Sequence, residues 1–227
     1  MNKPKICVSI IENNPEAIRN AEKAVDLWEV RLDILGVDWP KAAAGLTKSW
    51  IACNRSRDEG GWGELDTGKR IEALLEAGKA GASIIDLESA TANLPEIVKL
   101  IKKYSQCLLS FHDLESTPPL SELINIVEVQ IRAGADICKV VTTAKKFEDN
   151  VTILKLIDHF PDTKIVAHAM GEAGRLSRLI SPLCGGYFTY ACLDEGRQAA
   201  SGQISVNVMR EIYECMKGSE LSITWKQ

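Results

Sequence analysis

Lys139 and His112 lie near the ends of two apolar, strand-like runs, and their side chains could perform covalent chemistry together. Lys139 falls inside the run 136–141, and His112 directly follows the run 106–111. Burying an ammonium group is costly and lowers its pKa, so we expect the Lys139 amine to be uncharged. A neutral amine can attack a ketone to form an imine, and a nearby imidazole can then move protons. The alternative is a lysine that reaches solvent and pairs with an acid.

Eight strand-like runs recur along the chain, with helix-like segments between them. They cover residues 5–10, 27–32, 49–54, 83–87, 106–111, 136–141, 164–168 and 186–190. Most are continuously apolar, which is typical of parallel strands covered on both faces. The pattern predicts an α/β fold, a single (β/α)8 TIM barrel over residues 1–227, with function at the strand C-terminal ends. The alternative is an open doubly wound sheet, although no Gly-x-Gly-x-x-Gly follows the first run.

The intervening segments carry helix signals. Asn14-Pro15 is typical of a helix N-cap followed by a proline at the first helical position. Apolar residues recur at helical spacing after this point, and Gly81, Gly134 and Pro161 follow three of the segments. The predicted helices span residues 67–80, 117–131, 145–160 and 203–217.

Alternation along the strands predicts which side chains face the barrel axis. Glu29, Arg31 and Asp33 would share one face of the second strand, and charged triplets are not expected in an apolar helix layer. By the same alternation, Lys139 and His112 would face a common cavity from adjacent strands. This arrangement favours proton transfer at an imine.

Other polar groups are predicted at the same end of the barrel. The strand ends and the loops after them carry Ser9, Asn54, Arg55, Asp86 and Glu88. Arg175 and Arg178 follow a glycine-bearing turn into a predicted helix, and a helix N-terminus with arginine favours anions. Together they predict a pocket for a small, oxygen-rich anion. His168 is a second candidate proton carrier, whereas His159 is predicted to be structural.

The charge and cysteine content of the chain indicate which classes of partner and which cellular compartment to expect. The net charge of −4 is spread along the chain without a basic block, so we expect no nucleic-acid partner. The seven cysteines form no Cys-x-x-Cys pair, which favours a reducing cytoplasm and disfavours a metal site. No apolar run has membrane-spanning length, and no signal peptide is evident, so we expect a cytoplasmic protein without a membrane partner.

Short segments resemble, in the same order, the motifs of type I 3-dehydroquinate dehydratases, the Schiff-base enzymes of the shikimate pathway. The similar segments are Lys-Ile-Cys-Val-Ser (5–9), Glu-Val-Arg-Leu-Asp (29–33), Arg-Ser-x-x-Glu-Gly-Gly (55–61), Ile-Asp-Leu-Glu (85–88), Ser-Phe-His-Asp (110–113), Asp-Ile-Cys-Lys (136–139), Met-Gly-x-x-Gly-x-x-Ser-Arg-Leu (170–179) and Gly-Gln-Ile-Ser-Val (202–206). The resemblance implies a class I aldolase-like barrel and a carbon–oxygen lyase of aromatic amino-acid biosynthesis. It implies 3-dehydroquinate as the substrate and 3-dehydroshikimate as the product.

The resemblance also implies roles for individual residues. Lys139 would form an imine with the C3 ketone, and His112 would take the C2 proton and return it to the departing C1 hydroxyl. Glu59 would orient or charge His112. The implied substrate-binding residues are Ser9, Glu29, Val30, Arg31, Arg55, Arg178 and Gln203. No cofactor and no metal are implied, because the protonated imine itself stores the developing carbanion.

The chain departs from this pattern in several places. Leu114 stands where the family usually has an aromatic residue, and Ala199 and Ser201 replace the usual residues of the loop before Gln203. Because the first strand-like run begins at residue 5, we expect no N-terminal hairpin of the kind that caps the barrel bottom in several relatives. A homodimer is an open expectation. Two other functions stay open, another Schiff-base enzyme such as an aldolase or transaldolase, and a non-catalytic binding barrel.

Overall fold

The computed structural model describes residues 3–63, 66–194 and 198–218 of the 227-residue chain. Each of the eight predicted strands corresponds to an observed strand within this part. The strands β1 to β8 are Ile6–Ile10, Leu27–Arg31, Trp50–Cys53, Ile84–Glu88, Gln106–His112, Ile137–Thr143, Ile165–Met170 and Thr189–Ala191. The single domain predicted for 1–227 includes residues 1–2, 64–65, 195–197 and 219–227, which lie outside the described residues.

Helices follow the strands, as a (β/α)8 barrel requires. In the described part of the chain, α1 to α9 are Pro15–Ala21, Leu32–Leu35, Trp39–Ala44, Thr67–Lys79, Leu94–Ile101, Leu120–Arg132, Glu148–His159, Arg175–Ile180 and Val206–Gly218. Short 3-10 turns cover Gly36–Asp38, Arg57–Glu59, Glu172–Gly174 and Ser181–Cys184. The Asn14 side chain accepts a hydrogen bond from the Ala17 amide at 3.1 Å, which confirms the predicted N-cap of α1.

The strands form one parallel sheet in the order β7-β6-β5-β4-β3-β2-β1-β8. This sheet curls into a nearly closed barrel, and the predicted (β/α)8 architecture is confirmed. The strands β7 and β8 are the two ends of the described sheet, and a backbone hydrogen bond from Tyr187 to Ile165 of 2.7 Å lies near their beginnings. We call this junction the β7–β8 seam.

Apolar side chains pack in two places, inside the barrel and between the sheet and the helices. The interior cluster at the barrel axis contains Cys7, Ile51, Ile84, Leu108, Ile137, Val166, Phe188 and Tyr190. Residues of opposite strand parity, such as Val30 and Leu109, pack toward the helices. The interior cluster closes the barrel beneath the polar strand ends, so polar groups collect above it.

At three element boundaries, local contacts override the apolar pattern from which the boundary was predicted. The strand β2 ends at Arg31 and the chain turns into α2, so Asp33 does not continue the axial face as predicted. The strand β8 starts at Thr189 rather than residue 186, because Gly185 adopts a φ of 101° and a turn precedes the strand. The helix α7 begins at Glu148 rather than 145, because the Asp149 carboxylate accepts the amides of the preceding turn.

None of the seven cysteines forms a disulfide, and those of the strands are buried. Among the described helices, none has the length and apolar character needed to cross a membrane.

Candidate active site

A cavity of about 230 Å³ opens at the C-terminal ends of the strands and gathers nine of the ten predicted site residues. These nine are Ser9, Glu29, Arg31, Arg55, Glu59, His112, Lys139, Arg178 and Gln203. Val30 is the exception. Its side chain has the opposite strand parity and is buried against the helix layer. The assignment of Val30 to substrate binding stays a prediction.

Lys139 lies at the inner end of this cavity and is 4% exposed. Its Nζ donates to Asp86 Oδ2 at 2.9 Å and to the Tyr190 hydroxyl at 3.2 Å. Glu29 Oε1 lies 3.7 Å from the same nitrogen. The fold therefore surrounds this amine with two carboxylates and a phenol.

The expectation that burial leaves Lys139 uncharged is wrong. Burial by itself lowers the pKa of Lys139, but the carboxylates of Asp86 and Glu29 outweigh it and hold that pKa above its ordinary value. The amine is therefore an ammonium in the ligand-free site. The sequence argument counted the cost of burial without the two acids that the barrel brings to the nitrogen.

Strand register places the two histidines on either side of strand β6. His112 pairs with Val141, and Val141 pairs with His168, so these three residues form one level across β5, β6 and β7. Lys139 lies two residues deeper on the middle strand. Lys139 and His112 were predicted to face the axis from the alternation along their strands, and His168 was predicted as a second candidate proton carrier.

His112 is oriented by Glu59. The His112 Nδ1 and Glu59 Oε2 atoms are 2.7 Å apart, and both side chains are nearly buried. Burial lowers the pKa of His112 well below its ordinary value, and the Arg55 guanidinium lowers it further. Burial raises the pKa of Glu59 to about 8, although Arg55 opposes this shift. An imidazole held neutral, with one nitrogen fixed by a carboxyl group, can act as a proton carrier.

A chain of ion pairs joins the lysine to the loop after β3. Arg55 contacts Asp86 at 2.7 Å and Glu88 at 3.2 Å, and it lies 3.6 Å from Glu59. Arg70 pairs with the other oxygen of Glu88. Burial would raise the pKa of Asp86, but Arg55 and Lys139 lower it well below its ordinary value. Asp86 therefore stays a carboxylate between two cations.

Hydrogen bonds hold the polar side chains on the side of the cavity that β1 and β2 form. Ser9 donates to Glu29 at 2.7 Å. Arg31 binds both carboxylate oxygens of Asp33, at 2.8 and 2.6 Å. Asp33 thus serves the site by fixing Arg31 from outside the cavity, a role that the strand pattern did not predict.

Arg178 is a buried cation that forms no ion pair with any of the described residues. It is 1% exposed, and its Nε and one terminal nitrogen have no hydrogen-bond partner in the part of the chain that is described. Burial lowers the pKa of Arg178 to about 10. An unpaired guanidinium facing a cavity is suited to an anionic ligand. Arg175, which was predicted beside it, instead pairs with Glu172 on the surface, because α8 turns it outward.

Gln203 follows Gly202, at which the chain packs closely against Gly171. Gly202 has a φ of 80°, and a Cβ at this position would lie 2.4 Å from the Gly171 carbonyl oxygen. The Gln203 side chain accepts from the Ala199 amide at 2.9 Å. Ala199 and Ala200 also line the cavity, whereas residues 195–197 of the predicted closing loop lie outside the described residues.

Several cavity residues were not assigned from the sequence, namely Cys53, Gly60, Leu114, Val141, Met170, Tyr190, Ala199 and Ala200. The eighth strand was predicted, but its register was not, and Tyr190 gave no separate signal. Its axial position follows only from the observed pairing of Tyr190 with Cys7.

Glu29, Cys53 and Asp86 bring one ligand atom each within 4.8 Å of one another, which is a spacing that a metal ion could use. Their protonation states argue against this use. Burial raises the pKa of the Cys53 thiol well above its ordinary value, so it is a poor ligand. Asp86 already neutralises Lys139 and Arg55. A cation here would compete with two protein cations.

Comparison with protein families gives a match over most of the chain. The sequence model of a family described as Type I 3-dehydroquinase matches residues 6–220. The 3-dehydroquinate dehydratase of Dehalococcoides mccartyi strain 195 is 42% identical over 215 residues, covering 94% of this chain and 96% of the relative. That of Desulfotalea psychrophila is 36% identical over 225 residues, covering 94% and 98%.

Solved structures agree with the fold. A type I 3-dehydroquinate dehydratase from Clostridium difficile, described with covalently modified comenic acid, has a TM-score of 0.83 at 22% identity and covers 95% of this chain and 93% of its own. A 3-dehydroquinate dehydratase from Enterococcus faecalis has a TM-score of 0.76 at 25% identity, with 95% of both chains covered.

Proposed function

The chain belongs to the type I 3-dehydroquinase family, and on this premise we propose that it removes water from 3-dehydroquinate through an imine on Lys139. The enzyme is a hydro-lyase that gives 3-dehydroshikimate. The observation that carries the Lys139 assignment is its burial at the inner end of the cavity, one level below His112 on the adjacent strand. A carbonyl carbon bonded to Nζ would then lie beneath the imidazole.

The imine acts as the electron sink. A protonated imine at C3 acidifies the C2 proton, and the electron pair left by proton removal is held as an enamine. His112 takes this proton and returns it to the departing C1 hydroxyl, while Glu59 keeps the imidazole oriented through Nδ1. A positioned proton carrier contributes about 10²–10⁴-fold in rate.

The remaining predicted residues would hold the substrate. Arg178 has unpaired guanidinium nitrogens in the cavity and would bind the substrate carboxylate. Ser9, Glu29 and Arg31 line the wall of β1 and β2 and would contact hydroxyl groups. Arg55 would also contact substrate hydroxyl groups, while its ion pair with Asp86 holds that carboxylate in place. Gln203 would close the site from the loop before α9.

We propose that the reaction needs no metal and no cofactor. The family is of the type that acts through an imine, and the iminium performs the electron withdrawal for which a metal would otherwise be needed. The charge argument against an ion between Glu29, Cys53 and Asp86 supports the same conclusion. Activity retained after exhaustive chelation would agree with it.

We also propose a cytoplasmic protein whose residues 1–227 form one domain. The buried cysteines of the strands, which form no disulfide, support a reducing compartment. The net charge of −4 disfavours a nucleic-acid partner. As the assembly we propose a homodimer. Light scattering of the purified chain would measure the assembly directly.

Borohydride trapping tests the imine. With 3-dehydroquinate, the native chain should gain the mass of one reduced substrate adduct, and Lys139→Met should gain none while it keeps its fold, because Arg55 still neutralises Asp86. Lys155→Met on the exposed face of α7 is the matched control and should be modified normally. An adduct on Lys139→Met would reject the assignment.

The rival aldolase function uses the same lysine but another substrate. A sugar phosphate would need a phosphate grip near Gly171–Gly174, where Arg175 is turned to the surface. Adduct formation with a sugar phosphate and not with 3-dehydroquinate would favour the rival. A rise in near-ultraviolet absorbance with 3-dehydroquinate, from the conjugated product, favours the dehydratase.

A further inference from the structure

The Tyr190 hydroxyl lies beside the nitrogen that is proposed to form the imine. Lys139 Nζ donates to the phenol oxygen at 3.2 Å, and it lies 4.5 Å from the centre of the ring. Tyr190 is 4% exposed and lines the cavity from β8, which is separated from β6 by β7 alone. The phenol is therefore held against the amine and open to a ligand.

The three polar groups around Nζ differ in what they can do with protons. Asp86 and Glu29 are acceptors of hydrogen bonds from the ammonium. The Tyr190 hydroxyl can accept one hydrogen bond and donate another. Burial and then the Glu29 carboxylate raise the pKa of Tyr190 well above its ordinary value, so it retains the proton that it could donate.

The Tyr190 hydroxyl and the His112 imidazole occupy different positions relative to Lys139 Nζ. When Nζ bonds to a ketone carbon, the ketone oxygen lies one bond beyond that carbon, within reach of a group already hydrogen-bonded to Nζ. His112 lies on a neighbouring strand at the level of Val141, nearer the cavity mouth than Lys139. It is placed for a proton on an adjacent substrate carbon.

We propose that Tyr190 is a catalytic residue that relays protons from Lys139 Nζ to the ketone oxygen during imine formation, and in the reverse direction during imine hydrolysis. This inference rests on the proposed imine function. It gives the ammonium form of Lys139 a productive role, because the protons that must leave the nitrogen are the ones that the oxygen needs.

The relay balances without an external acid or base. In the first step an ammonium proton passes to Tyr190 as the Tyr190 proton passes to the ketone oxygen, and the freed nitrogen lone pair forms the bond to carbon. The product is a protonated carbinolamine. In the second step another proton passes from nitrogen through Tyr190 to the hydroxyl, the carbon–oxygen bond breaks, and the nitrogen lone pair forms the iminium. Water leaves, and Tyr190 is unchanged.

Tyr190→Phe tests the relay because it removes the hydroxyl and keeps the ring. The readout is the rate of borohydride-trapped adduct in single turnovers, measured in a His112→Ala background, where elimination is stalled and only imine formation is observed. We expect the trapping rate to fall by at least about 10-fold, toward the range typical of a lost proton carrier, with the same final adduct yield. Tyr187→Phe, at the opposite end of the barrel beside Lys5, is the matched control and should leave the trapping rate unchanged.

Two outcomes would overturn the relay, and a third concerns the function on which it rests. An unchanged trapping rate in folded Tyr190→Phe rejects the catalytic role. An unchanged trapping rate of the His112→Ala chain in D2O also rejects it, whether or not the tyrosine variant folds, because the relay moves protons in both steps. If the native chain forms no adduct with 3-dehydroquinate, the proposed imine function itself is wrong.

Discussion

At the scale of single residues, Arg178 differs from the other buried cations at the strand ends. Lys139, Arg31, Arg55 and Arg70 each meet at least one carboxylate. In contrast, two guanidinium nitrogens of Arg178 are buried without a hydrogen-bond partner among the described residues. Burying a charge without a partner destabilises the fold. The ligand-free protein thus carries an electrostatic cost that an anionic ligand relieves.

Arg178→Met should separate binding from stability. We expect KM for 3-dehydroquinate to rise by at least about 10-fold, because the substrate carboxylate loses its charge-assisted hydrogen bonds. We expect the thermal midpoint of the ligand-free protein to rise, because a buried unpaired charge is removed. Steady-state kinetics and calorimetry measure the two effects.

Arg175→Met is the control for this change, since Arg175 belongs to the same helix but pairs with Glu172 at the surface. It should alter neither KM nor the midpoint appreciably. A lower midpoint in Arg178→Met would contradict the argument.

Glu59→Gln should change the pH dependence of kcat/KM. Burial raises the pKa of Glu59 to about 8, so below this pH the carboxyl group keeps a proton and cannot draw the proton of His112 Nδ1. We expect the native kcat/KM to rise with pH and to level above about 8. The variant should be slower and should lack this inflection.

Asp58→Asn provides the comparison, because Asp58 lies in the same 3-10 turn with an exposed side chain. Its pH profile should match that of the native chain. An inflection near pH 8 that persists in Glu59→Gln would mean that another group titrates there.

At the scale of elements, the loop after β3 holds Arg55 and Glu59 in place through close backbone contacts. The Gly61 amide donates to Ser56 at 2.8 Å, and the Ser56 amide donates to Glu88 at 2.8 Å. A Cβ at Gly61 would lie 1.9 Å from the Arg55 carbonyl oxygen. Only glycine permits the loop to fold back this tightly.

Gly61→Ala should therefore disturb both stability and catalysis. The backbone must shift to admit the methyl group, so we expect a loss of at least about 1 kcal/mol in the free energy of unfolding. This corresponds to a fall of roughly 2–4 °C in the thermal midpoint for a chain of this size. The value of kcat should also fall, because Glu59 moves away from His112.

Gly45→Ala supplies the matched substitution, since a Cβ there has nothing within 4 Å and the backbone φ of −91° suits alanine. It should leave both measurements near the native values. A Gly61→Ala chain with native stability and native kcat would show that the loop has another conformation available.

At the scale of the whole molecule, the active site rests on the apolar cluster inside the barrel. Leu108 lies beneath Ser110 on β5 and is fully buried, and it pairs in register with Ile137, two residues below Lys139. Close packing of this layer excludes water from the inner end of the cavity.

Leu108→Ala should leave a void at the barrel axis and lower the free energy of unfolding by about 2–5 kcal/mol. Val129→Ala, on α6 with 46% of its surface exposed, should change stability by roughly 0.5 kcal/mol or less. Denaturant titrations of both variants measure the difference. Equal losses would mean that the barrel interior does not determine stability.

The sequence predicted the barrel because each strand is a short apolar run bounded by helix signals, and local pattern is enough for that inference. It predicted the cavity residues through strand parity and motif resemblance. It failed at Asp33 and Arg175 because the chain leaves the strand at the first and α8 turns the second outward. It failed at the charge of Lys139 because that charge depends on contacts between distant segments. The carboxylate of Asp86 and the phenol of Tyr190 reach Lys139 from β4 and β8, and no local pattern encodes that meeting.

At the β7–β8 seam, strand β8 can deform more easily than the strands that carry Lys139 and His112. The strands that carry Lys139 and His112 pair with their neighbours at five or more register positions. In contrast, β8 pairs with β1 at three positions and forms an end of the sheet. The wall formed by β8 can therefore adapt to a ligand's width while Lys139 and His112 keep their spacing. Deuterium uptake should consequently be faster at the β8 amides than along β6, and ligand should slow it most at β8.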